Sequence, residues 1–138
     1  MALEAKLIYE LEPAVYFACA LGTAIPKGSF VKITDENIVA ICDGDTDACI
    51  GITAEEKVAT TDGKITIAVY LRGIFKVFVG AAGATVGLAA ITDVATGAAN
   101  ELVNADVNSE NIVGRFLGTA TDTQSVMMLL APFSVNLA

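Results

Sequence analysis

Apolar residues in this chain recur at every second position, in short runs broken by Gly, Asp and Asn. Nowhere do they keep the three-to-four spacing that a helix of ten or more residues requires. The pattern commits the chain to strands. Phe30-Val31-Lys32-Ile33-Thr34 reads as one strand and Ile38-Val39-Ala40-Ile41-Cys42 as its hairpin partner, with Asp35-Glu36-Asn37 as the turn between them. Ile50-Gly51-Ile52-Thr53 follows, and Thr61-Asp62-Gly63 turns the chain into Lys64–Tyr70, where Ile65, Ile67 and Val69 share one face. Gly73 interrupts before Ile74–Val79, an apolar run long enough for a central strand. Beyond Gly80 the glycines and alanines predict turns and short elements, with a short helix near Asn108–Ile112. The last strands are Ile112–Leu117 and Val126–Leu130, and Pro132 marks the exit.

An internal repeat organises these strands. Lys27-Gly28-Ser29-Phe30-Val31-Lys32-Ile33-Thr34-Asp35 resembles Val86-Gly87-Leu88-Ala89-Ala90-Ile91-Thr92-Asp93 with one deletion, and Ile50-Gly51-Ile52 resembles Val113-Gly114-Arg115. Halves spanning roughly 22–70 and 80–131 therefore read as copies of one β unit. The expected fold is all-β, a small β-barrel or tulip-like domain of two similar halves. Residues 1–21 lie outside the repeat. They fit either a first barrel strand or an extended arm whose edge joins a neighbouring sheet; we expect an arm over 1–14 and a core strand over 15–19, within a single domain spanning 15–138.

Composition narrows the chemistry. Of 138 residues 54% are hydrophobic and 17% charged, which leaves more apolar surface than one small core hides. No run approaches the roughly 20 apolar residues of a spanning helix, so no membrane partner is expected. The N-terminus lacks the basic start and continuous apolar segment of a secretory signal, which fits synthesis in the cytoplasm. A net charge of -8 repels phosphate backbones, so no nucleic-acid partner is expected. Histidine is absent, which removes His-dependent nucleophile systems, His-metal sites and the usual neutral-pH base. Cys19, Cys42 and Cys49 form no Cys-x-x-Cys pair and read as small buried hydrophobes.

The remaining motifs fail their own tests. Asp43-Gly44-Asp45-Thr46-Asp47 has the alternating carboxylates of a calcium loop, but Ala48 and Ala54 stand where an EF-hand needs Gly and Glu. A solvated acidic turn fits better, with a looser cation site left open. Glu55 and Glu56 are adjacent and so diverge, which does not suit a catalytic carboxylate pair. Gly80, Gly83 and Gly87 precede no Lys-Ser/Thr, so no phosphate loop forms. The expectation is a non-enzyme with no catalytic, metal or cofactor site and no cofactor. Arg72, Arg115 and Phe133 are the candidate intersubunit contacts: the two arginines sit beside glycines, and Phe133 belongs to the apolar group Met127–Leu130, which must be covered on both faces.

Three segments together resemble the small capsid decoration, or cement, proteins of tailed viruses: Ala24–Ile33, Cys49–Lys57 and Thr66–Phe75, with Asn111–Gly118 similar to their second-half strand. The resemblance covers about residues 7–137. It implies a compact β-rich protein, commonly trimeric, on the capsid exterior where major-capsid subunits meet, stiffening the shell against internal DNA pressure, with an N-terminal arm that orders on contact. The expected partners are thus the major capsid protein and further copies of the chain, and the expected location is the virion exterior. Our own reading of the arm makes Leu7, Ile8, Tyr9 and Leu11 the capsid-binding candidates. A spike, tail or glycan-binding β-module is the alternative with the same composition.

Overall fold

A computed structural model describes residues 3–43, 47–61, 63–92, 101–105 and 111–134. Among them every regular element is a strand: β1 (Lys6–Glu10), β2 (Val15–Ala18), β3 (Phe30–Asp35), β4 (Ile38–Ile41), β5 (Cys49–Thr53), β6 (Thr66–Tyr70), β7 (Gly73–Val79), β8 (Ala89–Thr92), β9 (Glu101–Asn104), β10 (Asn111–Phe116) and β11 (Ser125–Ser134). The fold is all-β, as the period-two pattern requires.

The strands close into two barrels. In the first the order is β2-β4-β3-β5-β6, with β6 returning to β2. In the second β7-β11-β10-β8-β9 closes through a parallel β7–β9 pair, and β1 adds to β7 from outside. The two connectivities are the same, strand for strand. The parallel closure Ala18↔Ile38 answers Phe78↔Glu101, and the isolated bridge Ile25↔Lys57 answers Ala84↔Ala120. Gly28 and Gly87 both hold a positive φ, 76° and 84°, and donate their amides to Thr53 O and Phe116 O. The two similar halves read from the sequence are these barrels. The repeat extends further than the visible match, because β2 and β7 open the two barrels while sharing almost no residues.

Alternation divides the core. Val31, Val39, Ile67 and Val69 point into the first barrel together with Cys19 and Ile25. Phe30, Cys42, Cys49 and Ile52 point the other way, into a larger cluster with Phe75, Val77, Phe116, Met128 and Leu130 of the second barrel. The interface between barrels is therefore core, with β5 packed on β10 and β11. Tyr70 and Phe75 bracket the turn between barrels and meet edge to face, ring centroids 5.8 Å apart.

Several local expectations need correction. Pro132 does not end the last strand: β11 runs on to Ser134. Its β7 partner ends at Leu130↔Gly73, and a register shift separates Ile112 from Gly114 on β10, so the missing N–H of Pro132 breaks no ladder. Ile65 does not share the buried face of Ile67 and Val69; it precedes β6 and is 61% exposed. Of the short helix near Asn108–Ile112, Asn111 and Ile112 are strand, and the rest lies outside the described residues. Ile74–Val79 and Val126–Leu130 bury their alternate residues Phe75, Val77, Val79, Val126, Met128 and Leu130 in the core of their own chain. The turn at Asp35-Glu36-Asn37 forms as read, with Asn37 at φ 59° and the Glu36 amide donating to Asp35 Oδ1 at 2.7 Å.

Candidate functional surface

The acidic turn is tied down by a lysine. Lys32 Nζ on β3 donates to Asp43 Oδ1 at 2.6 Å and to Asp47 Oδ2 at 3.2 Å, while Asp47 Oδ2 also accepts the Asp43 amide at 2.7 Å. The two carboxylates thus hold an ammonium where a loose cation site was left open; Asp45 lies outside the described residues. The hydrogen bond to Asp43, joined by Asp47, raises the Lys32 pKa above its ordinary 10.5. A raised folded value means that the contribution is present in full below the ordinary lysine pKa and is lost as pH rises through the folded one. With the Asp43 side chain 79% exposed, screening keeps it to about 1 kcal/mol or less.

The three cysteines are buried thiols, none of them in a disulfide. The hydrogen bond that the Cys42 thiol donates to the Cys49 sulfur, then burial, push the Cys42 thiol up, so it stays protonated. Glu55 is structural: its carboxylate accepts the Ala68 amide at 3.1 Å and pairs with Lys64 at 3.5 Å, while Glu56 is exposed.

One residue escaped the sequence reading. Lys57 is 1% exposed, and its ammonium donates to the carbonyls of Leu21, Thr23 and Ala59 at 2.6, 2.8 and 3.0 Å. It ties residues 21–23 to residues 57–59 beside the Ile25↔Lys57 bridge, and the corresponding position of the second barrel is Ala120. In the sequence it follows two glutamates and looks like part of a solvated charge run; no local signal marks it.

The arm candidates lie on or beside β1. Residues 6–10 pair in-chain with β7 in the register Lys6↔Lys76, Leu7↔Phe75, Tyr9↔Ile74 and Glu10↔Gly73, bulged at Ile8. All five are exposed. Leu7, Ile8, Tyr9 and Leu11 are 37, 43, 61 and 51% exposed, so the structure gathers them on one outer strand and the link that follows it. The intersubunit candidates are not brought together. Arg72 is exposed at the turn between barrels, and Arg115 donates from Nη1 to Gly87 O at 2.8 Å, tying β10 to the turn before β8. Phe133 is 55% exposed and with Ile33, Ile50, Leu71 and Pro132 lines an apolar groove of about 390 Å³. No helix among the described residues is long and apolar enough to cross a membrane.

Strands, cores and turns thus define a tandem pair of five-stranded barrels that shows apolar side chains along an outer strand. No protein-family model and no curated protein matches the chain. Among solved structures its fold is similar to that of the N base of the head fiber protein gp8.5 of bacteriophage phi29, with a TM-score of 0.57 at 12% identity, covering 90% of this chain and 99% of that one. At that identity the likeness is one of fold.

Proposed function

We propose that this chain is a structural virion protein of a tailed virus that binds the outer surface of an assembled capsid as a homotrimer and stabilises the shell, without catalysis, cofactor, nucleic acid or membrane. The observation that carries the reading is the shared fold, over nearly the full length of both chains, with a phage head-fiber base. The physics agrees with a binding role. Closed barrels leave few strand edges, and weak contacts multiplied over several copies give firm attachment. An acidic surface, from a net charge of -8, keeps decorated particles apart. β1, with its apolar exposed residues, is the segment offered to the major capsid protein.

A second reading, the base module of a longer fibre, is favoured by the neighbour being the N base of a head fiber. Mixing the purified protein with undecorated capsids and imaging the particles separates the two. Density spread over the shell, with a raised temperature of capsid opening, is the expected result; density at isolated points supports the fibre base, and no binding rejects both. Deleting residues 2–12 should abolish attachment, and unchanged attachment removes β1 from the contact.

A further inference from the structure

The repeat leaves one barrel with a strand that the other lacks. In the second barrel, β7 carries β11 along one side; along the other it carries β9 at Phe78 and Val79, then β1 beside Ile74 and Lys76. In the first barrel, β2 carries β6 along one side and, along the other, touches β4 only at Ala18↔Ile38. Beside Tyr16, where β1 would lie if the halves were complete copies, no strand is present among the described residues.

The backbone at that place is aimed outward. Cys19 donates its amide to Ile65 O next to β6, and Ala18 donates to Asn37 O on the opposite side. Antiparallel pairing alternates the direction of backbone groups from residue to residue, so Tyr16 shares the side of Ala18 and turns its N–H and C=O toward the open edge. The same parity operates in the second barrel, where Val79 donates to Gln124 O and Ile74 and Lys76 therefore face β1. Their partners Tyr9 and Lys6 face β7 in return, which leaves Leu7 with its N–H and C=O on the outer edge of β1. Each chain thus carries two unlike open edges. Apolar exposure collects along them: among the described residues, six of the fifteen exposed large apolar side chains fall within residues 7–16, among them Tyr9 and Tyr16 at 61 and 63%. Such edges are otherwise blunted in proteins that stay alone.

We propose that the open edge of β2 is a strand-addition site for the outer edge of β1 from a second copy of the chain. This rests on the homo-oligomeric part of the function proposed above, and not on capsid binding. The two edges are different surfaces, so the contact is head to tail: every copy offers one edge to each of two neighbours, and a ring closes where the rotation permits. The occupant is a second copy because the chain already uses β1 to fill the matching place on β7, and because one such contact satisfies both open edges.

Light scattering on purified protein tests this, with Tyr16→Pro and Leu7→Pro as probes. Proline removes only the outward N–H in each case, and an edge strand tolerates it. The wild type should run as a closed oligomer of 14.2 kDa chains and each variant as a folded monomer. An equimolar mixture of the two should recover a one-to-one dimer, since Y16P keeps a sound β1 edge and L7P a sound β2 edge. A monomeric wild type, an oligomer that survives either proline, or a mixture that stays monomeric overturns the proposal. If a variant fails to fold, amide exchange in the wild type decides: the Tyr16 and Leu7 amides should be protected in a concentration-dependent way, and rapid exchange at all concentrations overturns the contact. A monomer that still decorates capsids defeats the ring alone, whereas a ring that ignores capsids defeats the virion reading alone.

Discussion

Lys57 shows how much a single side chain can decide here. Its ammonium lies inside the protein and donates to three backbone carbonyls. Hydrogen bonds from a charged donor are worth more than neutral ones, and a buried carbonyl left without a donor is costly. Lys57→Met keeps the length of the stem and removes the three donors. We expect it to lower the unfolding free energy by about 2–4 kcal/mol, read as a shift of the urea midpoint at unchanged slope. A shift under a quarter of that size would mean that water replaces the ammonium. The contrast with Lys32 is one of exposure, since Lys32 reaches carboxylates at the solvent edge and contributes little. Sequence alone ranks the two lysines equally, because both stand near acids; only burial separates them.

Strands in small barrels must cross closely, and two glycines mark the crossings. A Cβ at Gly51 would strike the carbonyl oxygen of Tyr70, and one at Gly114 the carbonyl oxygen of Leu129. The two sites are the same place in the two halves, where β5 meets β6 and β10 meets β11. Neither has a positive φ, so the demand is for space and not for backbone freedom. Gly51→Ala and Gly114→Ala should each cost about 1–3 kcal/mol or more, as overpacking against a backbone that cannot retreat does. Gly22→Ala, with open space around it, should stay within about 0.5 kcal/mol. Thermal melts of the three variants check the ranking, and equal losses at all three would contradict it. Here the sequence was informative. The Ile-Gly-Ile and Val-Gly-Arg matches that revealed the repeat are conspicuous because sterics forbid any other residue between their neighbours. β2 and β7 were not legible as counterparts, since any sequence able to extend and pair satisfies their role.

At the scale of the whole molecule, the two barrels share one large core. Phe30, Cys42, Cys49 and Ile52 leave the first barrel to pack among Phe75, Phe116, Met128 and Leu130 of the second. Separating the halves would expose those side chains, at about 25 cal/mol for each Å² of apolar surface. The full chain should therefore unfold in one transition, with calorimetric and van't Hoff enthalpies in agreement. Two resolved transitions would show that the barrels are independent. The candidate surface was partly readable at this scale. Leu7, Ile8, Tyr9 and Leu11 were identified as apolar residues ahead of the repeat, and they are exposed. That they lie on a strand beside β7, and that β2 lacks the matching neighbour, depended on pairings between residues more than sixty positions apart.

By itself the sequence determined what is local: strands rather than helices, turns at Asp35–Asn37, a duplicated unit, and the absence of His-based chemistry. These follow from the period of side-chain direction, from backbone sterics and from the inventory of functional groups, all properties of neighbouring residues. Tertiary structure alone decided which apolar strands became core and which side chains stayed outside, that Lys57 is enclosed by carbonyls, and which strand edges were left open. Those outcomes depend on which distant segments pair and on the closure of each sheet upon itself. An alternating pattern permits many pairings, and the folded chain selects one.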